Sequence, residues 1–133
     1  MLDQAFFATW TPRAQALLRI VAAFLFLQHG TAKFFGFPQG GFEHLPPLIV
    51  AAGLLELAGG ALVLIGLWTR LVAFVLSGEM AVAYFMAHAS QGNVLSPMVN
   101  HGEPAVLYCF IFLFLAAAGA GAWSVDAARK KAA

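Results

Sequence analysis

Arg19, His29, Lys33, Glu56 and Glu79 interrupt the apolar runs of this sequence, and their spacing sorts them into faces. Arg19, His29 and Lys33 fall in the first run, Glu56 in the second and Glu79 in the third. Arg19, Ala22, Phe26, His29 and Lys33 follow one another at intervals of 3, 4, 3 and 4 residues, which puts them on one side of a helix. Ala52, Glu56, Gly59, Val63 and Gly66 repeat at 4, 3, 4 and 3, a stripe of small residues around one carboxylate. His29 and Glu56 lie at matched depth, about 12 Å from the same end of their runs at 1.5 Å per residue. A histidine, which titrates near neutrality, beside a carboxylate in an apolar setting is the pairing that proton exchange needs.

These positions predict two polar centres. The outer one joins His29, Lys33 and Glu56, with Gly59 and Gly60 leaving room beside them. His29 and Glu56 are its candidate catalytic residues for proton exchange. His29, Lys33, Glu56, Gly59 and Gly60 are its candidate cofactor contacts. The inner centre joins Arg19 and Glu79, a structural pair, since an always-charged guanidinium is a poor proton shuttle. The plainer alternative for the outer centre is interhelical glue, with Lys33 reaching out to the interface instead. The four histidines, His29, His44, His88 and His101, form no HxxxH or HxxE spacing, so no metal or haem site is expected. Cys109 is the single cysteine, which excludes an internal disulfide or a CxxC redox motif.

The elements that must position these groups follow from composition. The chain has 133 residues, 62% hydrophobic and only 10% charged, whereas soluble domains carry about 25% charged residues. A bilayer-crossing helix needs about 20 mostly apolar residues, and four such blocks occupy residues 14–37, 48–68, 71–89 and 104–122. The prediction is an all-α membrane protein, a single polytopic domain over residues 1–133 built as a bundle of four transmembrane helices. No cleavable signal peptide is expected, because the first run carries Arg19 and lacks a small-residue cleavage site after it. A net charge of +1 argues against a nucleic-acid partner.

Arg13, Arg70, Arg129, Lys130 and Lys131 fall on one side of a four-span arrangement, and the positive-inside rule makes that side, with both termini, cytoplasmic. Trp10, Trp68 and Trp123 land on the same side. Leu2, Phe6 and Trp10 recur every four residues and predict a short interfacial helix, after which Thr11-Pro12 caps the first span. Glu103-Pro104 opens the last span, with the carboxylate at the positive helix end.

The order of these pieces resembles the DoxX family of small four-helix membrane proteins over about residues 19–126. The matching stretches are "LLRI" with Arg19, "HGTAKFFGF" with His29, Gly30 and Lys33, and "LLELAGGALVLIGLWTR" with Glu56, Gly59, Gly60, Gly66, Thr69 and Arg70. "EMAVAYF" with Glu79 and Ala83, "NHGEPAVLYCF" and "GAGAWSVD" complete it. Family members more often read N-G-G-E where this chain has Asn100-His101-Gly102-Glu103. The resemblance implies a bacterial inner-membrane protein associated with redox work, such as quinone-linked sulfur oxidation or thiol-redox complexes. It therefore implies a quinone as cofactor, with other membrane, periplasmic or cytoplasmic redox proteins, or second copies of the chain, as partners within the lipid bilayer. Two other functions compete: a small-molecule or proton transporter, motivated by the intramembrane carboxylates, and a non-catalytic anchor or assembly subunit. The transporter reading lacks inverted repeats and broken helices in the sequence.

Overall fold

The computed structural model describes residues 3–132, and the regular structure among them is helical. Helix α1 runs Gln4–Phe35, α2 Pro47–Ile65, α3 Thr69–Ala83, α4 Glu103–Ala118 and α5 Val125–Ala132. Beyond α3 the chain stays helical through a π turn at Tyr84–His88 and a 3-10 turn at Ala89–Gln91. Two helices are long and apolar enough to cross a membrane, Pro47–Ile65 and the continuous Thr69–Gln91. The apolar α4 is shorter at 16 residues, and α1 at 32 residues carries the most polar groups.

The first span and the expected interfacial helix are one element. Asp3 accepts a hydrogen bond from the Phe6 N–H at 2.9 Å and so caps the helix eight residues ahead of Thr11. Once nucleated there, α1 runs straight through Pro12 to a left-handed C-cap at Gly36. Phe6 and Trp10 therefore extend this helix rather than forming a separate one, while Leu2 lies outside the described residues.

The other ends also follow local chemistry. Pro46-Pro47 starts α2 with its ring at a first-turn position, where the missing N–H is not needed. Gly66, at φ 72°, ends it: its N–H bonds Val63 O at 3.1 Å and the Leu67 N–H bonds Leu62 O at 2.9 Å. This paired reversal requires the left-handed conformation that glycine adopts without strain. Helix α4 stops at Ala118, four residues before the expected boundary, because Gly119 and Gly121 take positive φ and the chain turns away into α5.

Packing is pairwise. Helix α1 lies along α2 and α3 along α4, α2 and α3 share a smaller contact, and α1 meets α4 only briefly. Phe26, Val63, Leu76, Phe112 and Leu115 are the large buried apolar side chains between them. Phe24, Leu54, Phe74, Phe85 and Phe110 point outward from every long helix, an exposed apolar belt of the kind that marks an interaction surface.

Candidate functional site

At the loop end of the bundle, Lys33 and Glu56 form an ion pair. Lys33 Nζ lies 2.6 Å from each carboxylate oxygen of Glu56, with side-chain exposures of 17% and 5%. The helical faces bring them together: Lys33 sits in the last turn of α1 and Glu56 on the buried stripe of α2. Lys33 thus turns inward instead of reaching for the interface, because the carboxylate offers it a charge-assisted partner in a poorly solvated setting. Glu79 is a neighbour of this pair. Both its carboxylate oxygens are buried without a hydrogen-bond partner, and the charges acting on it are those of Glu56 and Lys33.

His29 stands apart from the ion pair, on the open seam between α1 and α4. Its ring meets Tyr108 edge-on, with centroids 5.8 Å apart, and lies 6.3 Å from Phe26. Gln28, His29, Pro38, Gln39 and Tyr108 line a cavity of about 460 Å³ there. Below it, Leu18, Val21, Leu107 and Ile111 line a second cavity of about 360 Å³. The two share Leu25, Pro104 and Tyr108, so they form one cleft with a polar head and an apolar stem. Glu103, in the first turn of α4, lies on the wall of the lower part. The cleft exists because the helices pair as α1–α2 and α3–α4, which leaves this seam unfilled.

Gly59 and Gly60 pack directly against neighbouring helices. A Cβ on Gly59 would come within 2.8 Å of Leu76 and one on Gly60 within 2.9 Å of Leu27. Their small size is used up by helix contact, leaving no room for a cofactor against them.

Arg19 and Glu79 are not partners either. Arg19 is fully buried and donates to the carbonyls of Ala120, Ala122 and Trp123, the last at 2.7 Å. Glu79 lies ten residues along α3 from Thr69, roughly 15 Å further up the bundle. Depth separates them.

Around Arg19 the arginine end is knotted by backbone acceptors. Arg70 donates to the carbonyls of Ala116, Ala117 and Ala118. Gln15 Nε2 donates to Gly119 O at 2.6 Å, and the Ala122 N–H to Pro12 O at 2.9 Å. Asp126 caps α3, accepting the N–H groups of Trp68 and Thr69 at 2.9 Å each. Partial burial pushes the Asp126 carboxyl up. The Thr69 N–H and side chain, the Trp68 N–H and the Arg129 charge outweigh it and hold the group below its ordinary 3.8. A depressed carboxyl adds stability that is complete above its unfolded value and lost as pH falls through the folded one. Asp126→Ala is expected to cost about 1–2 kcal/mol at neutral pH, as loss of a cap does. The variant should also lose less stability than the wild type between about pH 5 and pH 2. Melting curves in detergent check both, and a wild-type melt at neutral pH removes the capping role.

Tyr108, Gln15 and Asp126 carry much of this geometry without standing out as motifs. Tyr108 had a signal, being the one hydroxyl-bearing side chain in the last apolar run. Near the loops, Tyr84 Oη donates to Val94 O at 2.6 Å, and Asn100 Nδ2 reaches Tyr84 Oη at 3.1 Å. His88 Nδ1 lies 3.1 Å from Asn100 O, so this histidine fastens a loop. His101 takes φ 60°, a left-handed value that glycine adopts without strain.

An uncharacterised protein of Haemophilus influenzae is 46% identical over 122 residues, covering 88% of this chain and 91% of its own length. No solved structure matches the chain. The DoxX family profile matches residues 14–89, the stretch holding Arg19, His29, Lys33, Glu56 and Glu79. With more than half its length matched, this chain belongs to the DoxX family.

Proposed function

We propose that this chain is the bilayer-embedded subunit of a quinone-linked redox complex of the bacterial inner membrane, with the α1–α4 cleft as the seat of the quinone. In this reading α1, α2, α3 and α4 all cross the bilayer and both termini are cytoplasmic. The reading is supported by the cluster of Arg70, Arg129, Lys130 and Lys131 and by loops 38–47 and 90–103, which carry no Lys or Arg.

The observation that carries the proposal is the shape and chemistry of the cleft. Its head offers the His29 ring, the Gln28 amide and the Tyr108 hydroxyl, and its stem is walled by Leu18, Val21, Leu107 and Ile111. Those residues fit a flat head with two carbonyl acceptors and an isoprenoid tail. A quinone takes up two electrons and two protons on reduction. His29 and Tyr108 would donate hydrogen bonds to a bound quinone's two carbonyl oxygens, and His29, exposed at the cleft mouth, would relay both protons in turn from the aqueous side. The Lys33–Glu56 pair sets the charge that His29 senses without lining the cleft. Electrons come from a partner protein or its bound cofactor, since the chain has one cysteine, Cys109, which packs in the bundle beside Ser77.

Photo-labelling of the purified protein with an azido-quinone is expected to mark residues near His29 and Tyr108. His29→Ala and Tyr108→Phe should each lower the yield about three- to tenfold, the value of one net hydrogen bond. Label spread evenly over the lipid-facing helices, indifferent to both variants, overturns the assignment.

A second reading, a proton conduit, draws on the buried, unpartnered carboxylate of Glu79. Proton flux into proteoliposomes that disappears in Glu79→Gln would favour it over a quinone seat.

A further inference from the structure

We propose that the cavity at the arginine end, between the start of α3 and α5, binds the headgroup of an anionic phospholipid. The cavity measures about 490 Å³ and is lined by Trp68, Arg70, Leu71, Asp126, Arg129 and Lys130 among others. Three cations face one carboxylate, and that carboxylate is already occupied with the Trp68 and Thr69 N–H groups. Arg70 is engaged in turn by the last carbonyls of α4. Arg129 and Lys130 remain: both are exposed, and the ion pair formed among the described residues is Lys33–Glu56 rather than any at this end. The cavity therefore presents two free donors of positive charge to an anion, the setting in which a phosphate makes charge-assisted hydrogen bonds.

The flanking surface says what carries the anion. Trp68, Leu71 and Phe74 lead from the cavity rim along α3 and are 57%, 69% and 64% exposed. An apolar strip running from a basic cavity into the bilayer matches a phosphate ester with acyl chains attached, and basic pockets between helices at this depth take anionic headgroups. Tryptophan at the rim matches the headgroup level of a membrane. A lipid seated there ties α5 to the start of α3, the junction that Asp126 already spans. The inference requires only that the helices lie in a bilayer and is independent of what occupies the α1–α4 cleft.

Native mass spectrometry of the full chain with added dioleoylphosphatidylglycerol or dioleoylphosphatidylcholine tests it. One phosphatidylglycerol is expected to be retained roughly 30-fold more tightly than phosphatidylcholine, a preference of the size two basic contacts supply. The double variant Arg129→Gln/Lys130→Gln should bind phosphatidylglycerol roughly 30-fold more weakly, at about fivefold per basic residue. Its lipid-free melting temperature should fall by no more than about 2 °C, because Arg129 acts on Asp126 through its charge alone and neither side chain forms an ion pair at this end. If the double variant does not fold, the single variants decide at about fivefold each. Equal retention of the two lipids, or undiminished phosphatidylglycerol binding by the variants, overturns the proposal. Inorganic phosphate alone should leave the melting temperature where it is. A shift equal to that with phosphatidylglycerol would assign the cavity to a free anion and overturn the lipid.

Discussion

Replacing Arg19 by Met is expected to cost about 3–5 kcal/mol. The guanidinium is buried and holds three carbonyls, those of Ala120, Ala122 and Trp123. Each buried acceptor left without its donor costs about 1–3 kcal/mol. Met matches the stem in length and apolar character, so the loss reports the hydrogen bonds rather than a cavity. Arg19→Lys should recover about half of the loss, since an ammonium keeps the charge but cannot span three carbonyls with a planar fork. Trp123 sits inside the knot and Trp68 beside it, so tryptophan fluorescence during unfolding in detergent is a local reporter. Limited proteolysis should open residues 119–124 in Arg19→Met before any other segment. A melt within about 2 °C of the wild type would mean that the α4–α5 connection stands without the guanidinium.

What the sequence makes legible, and what it hides, divides along a physical line. The buried faces of α1 and α2 are legible because intervals of three and four residues leave no other geometry: Arg19, Ala22 and Phe26 are buried, as are Glu56, Gly59 and Val63. Partners are harder. Arg19 looks as if it needs a carboxylate, yet its acceptors are backbone carbonyls, which carry no signature in a sequence. Depth along the bundle is hidden as well: Arg19 meets the carbonyls that follow α4, while Glu79 lies ten residues along α3 from Thr69.

The cleft was hidden for another reason. Whether α1 packs on α2 or on α4 is a property of the whole bundle, and no single helix records it. Gly59 and Gly60 suggested space beside Glu56. The chain uses that space for Leu76 and Leu27, and the open seam lies on the other side of α1, under His29. The immediate ring neighbour of His29 is thus Tyr108 rather than Glu56.

The Lys33–Glu56 pair predicts the second large effect, and it separates a structural pair from a chemical one. Lys33→Met strands the Glu56 carboxylate next to Glu79 in the bundle, and Glu56→Gln strands the ammonium. Removing one partner of a buried pair costs about 3–5 kcal/mol. Lys33 keeps partial access to solvent, so its own stranding should fall at the low end, about 3 kcal/mol. The double variant Lys33→Met/Glu56→Gln removes both charges together and should lose less than the two single losses added, by about 1–3 kcal/mol. Strictly additive losses in detergent unfolding would show that the contact carries no coupling. The same four proteins then answer the functional question. If the pair serves only to dock α1 on α2, azido-quinone labelling at His29 should recover in the double variant along with stability. If Glu56 exchanges protons with the His29 cleft, labelling should recover while quinone-dependent turnover in the assembled complex stays lost, because glutamine restores the packing but holds no exchangeable acid. Turnover that recovers with stability confines Glu56 to the scaffold and leaves His29 and Tyr108 as the residues that touch the ligand.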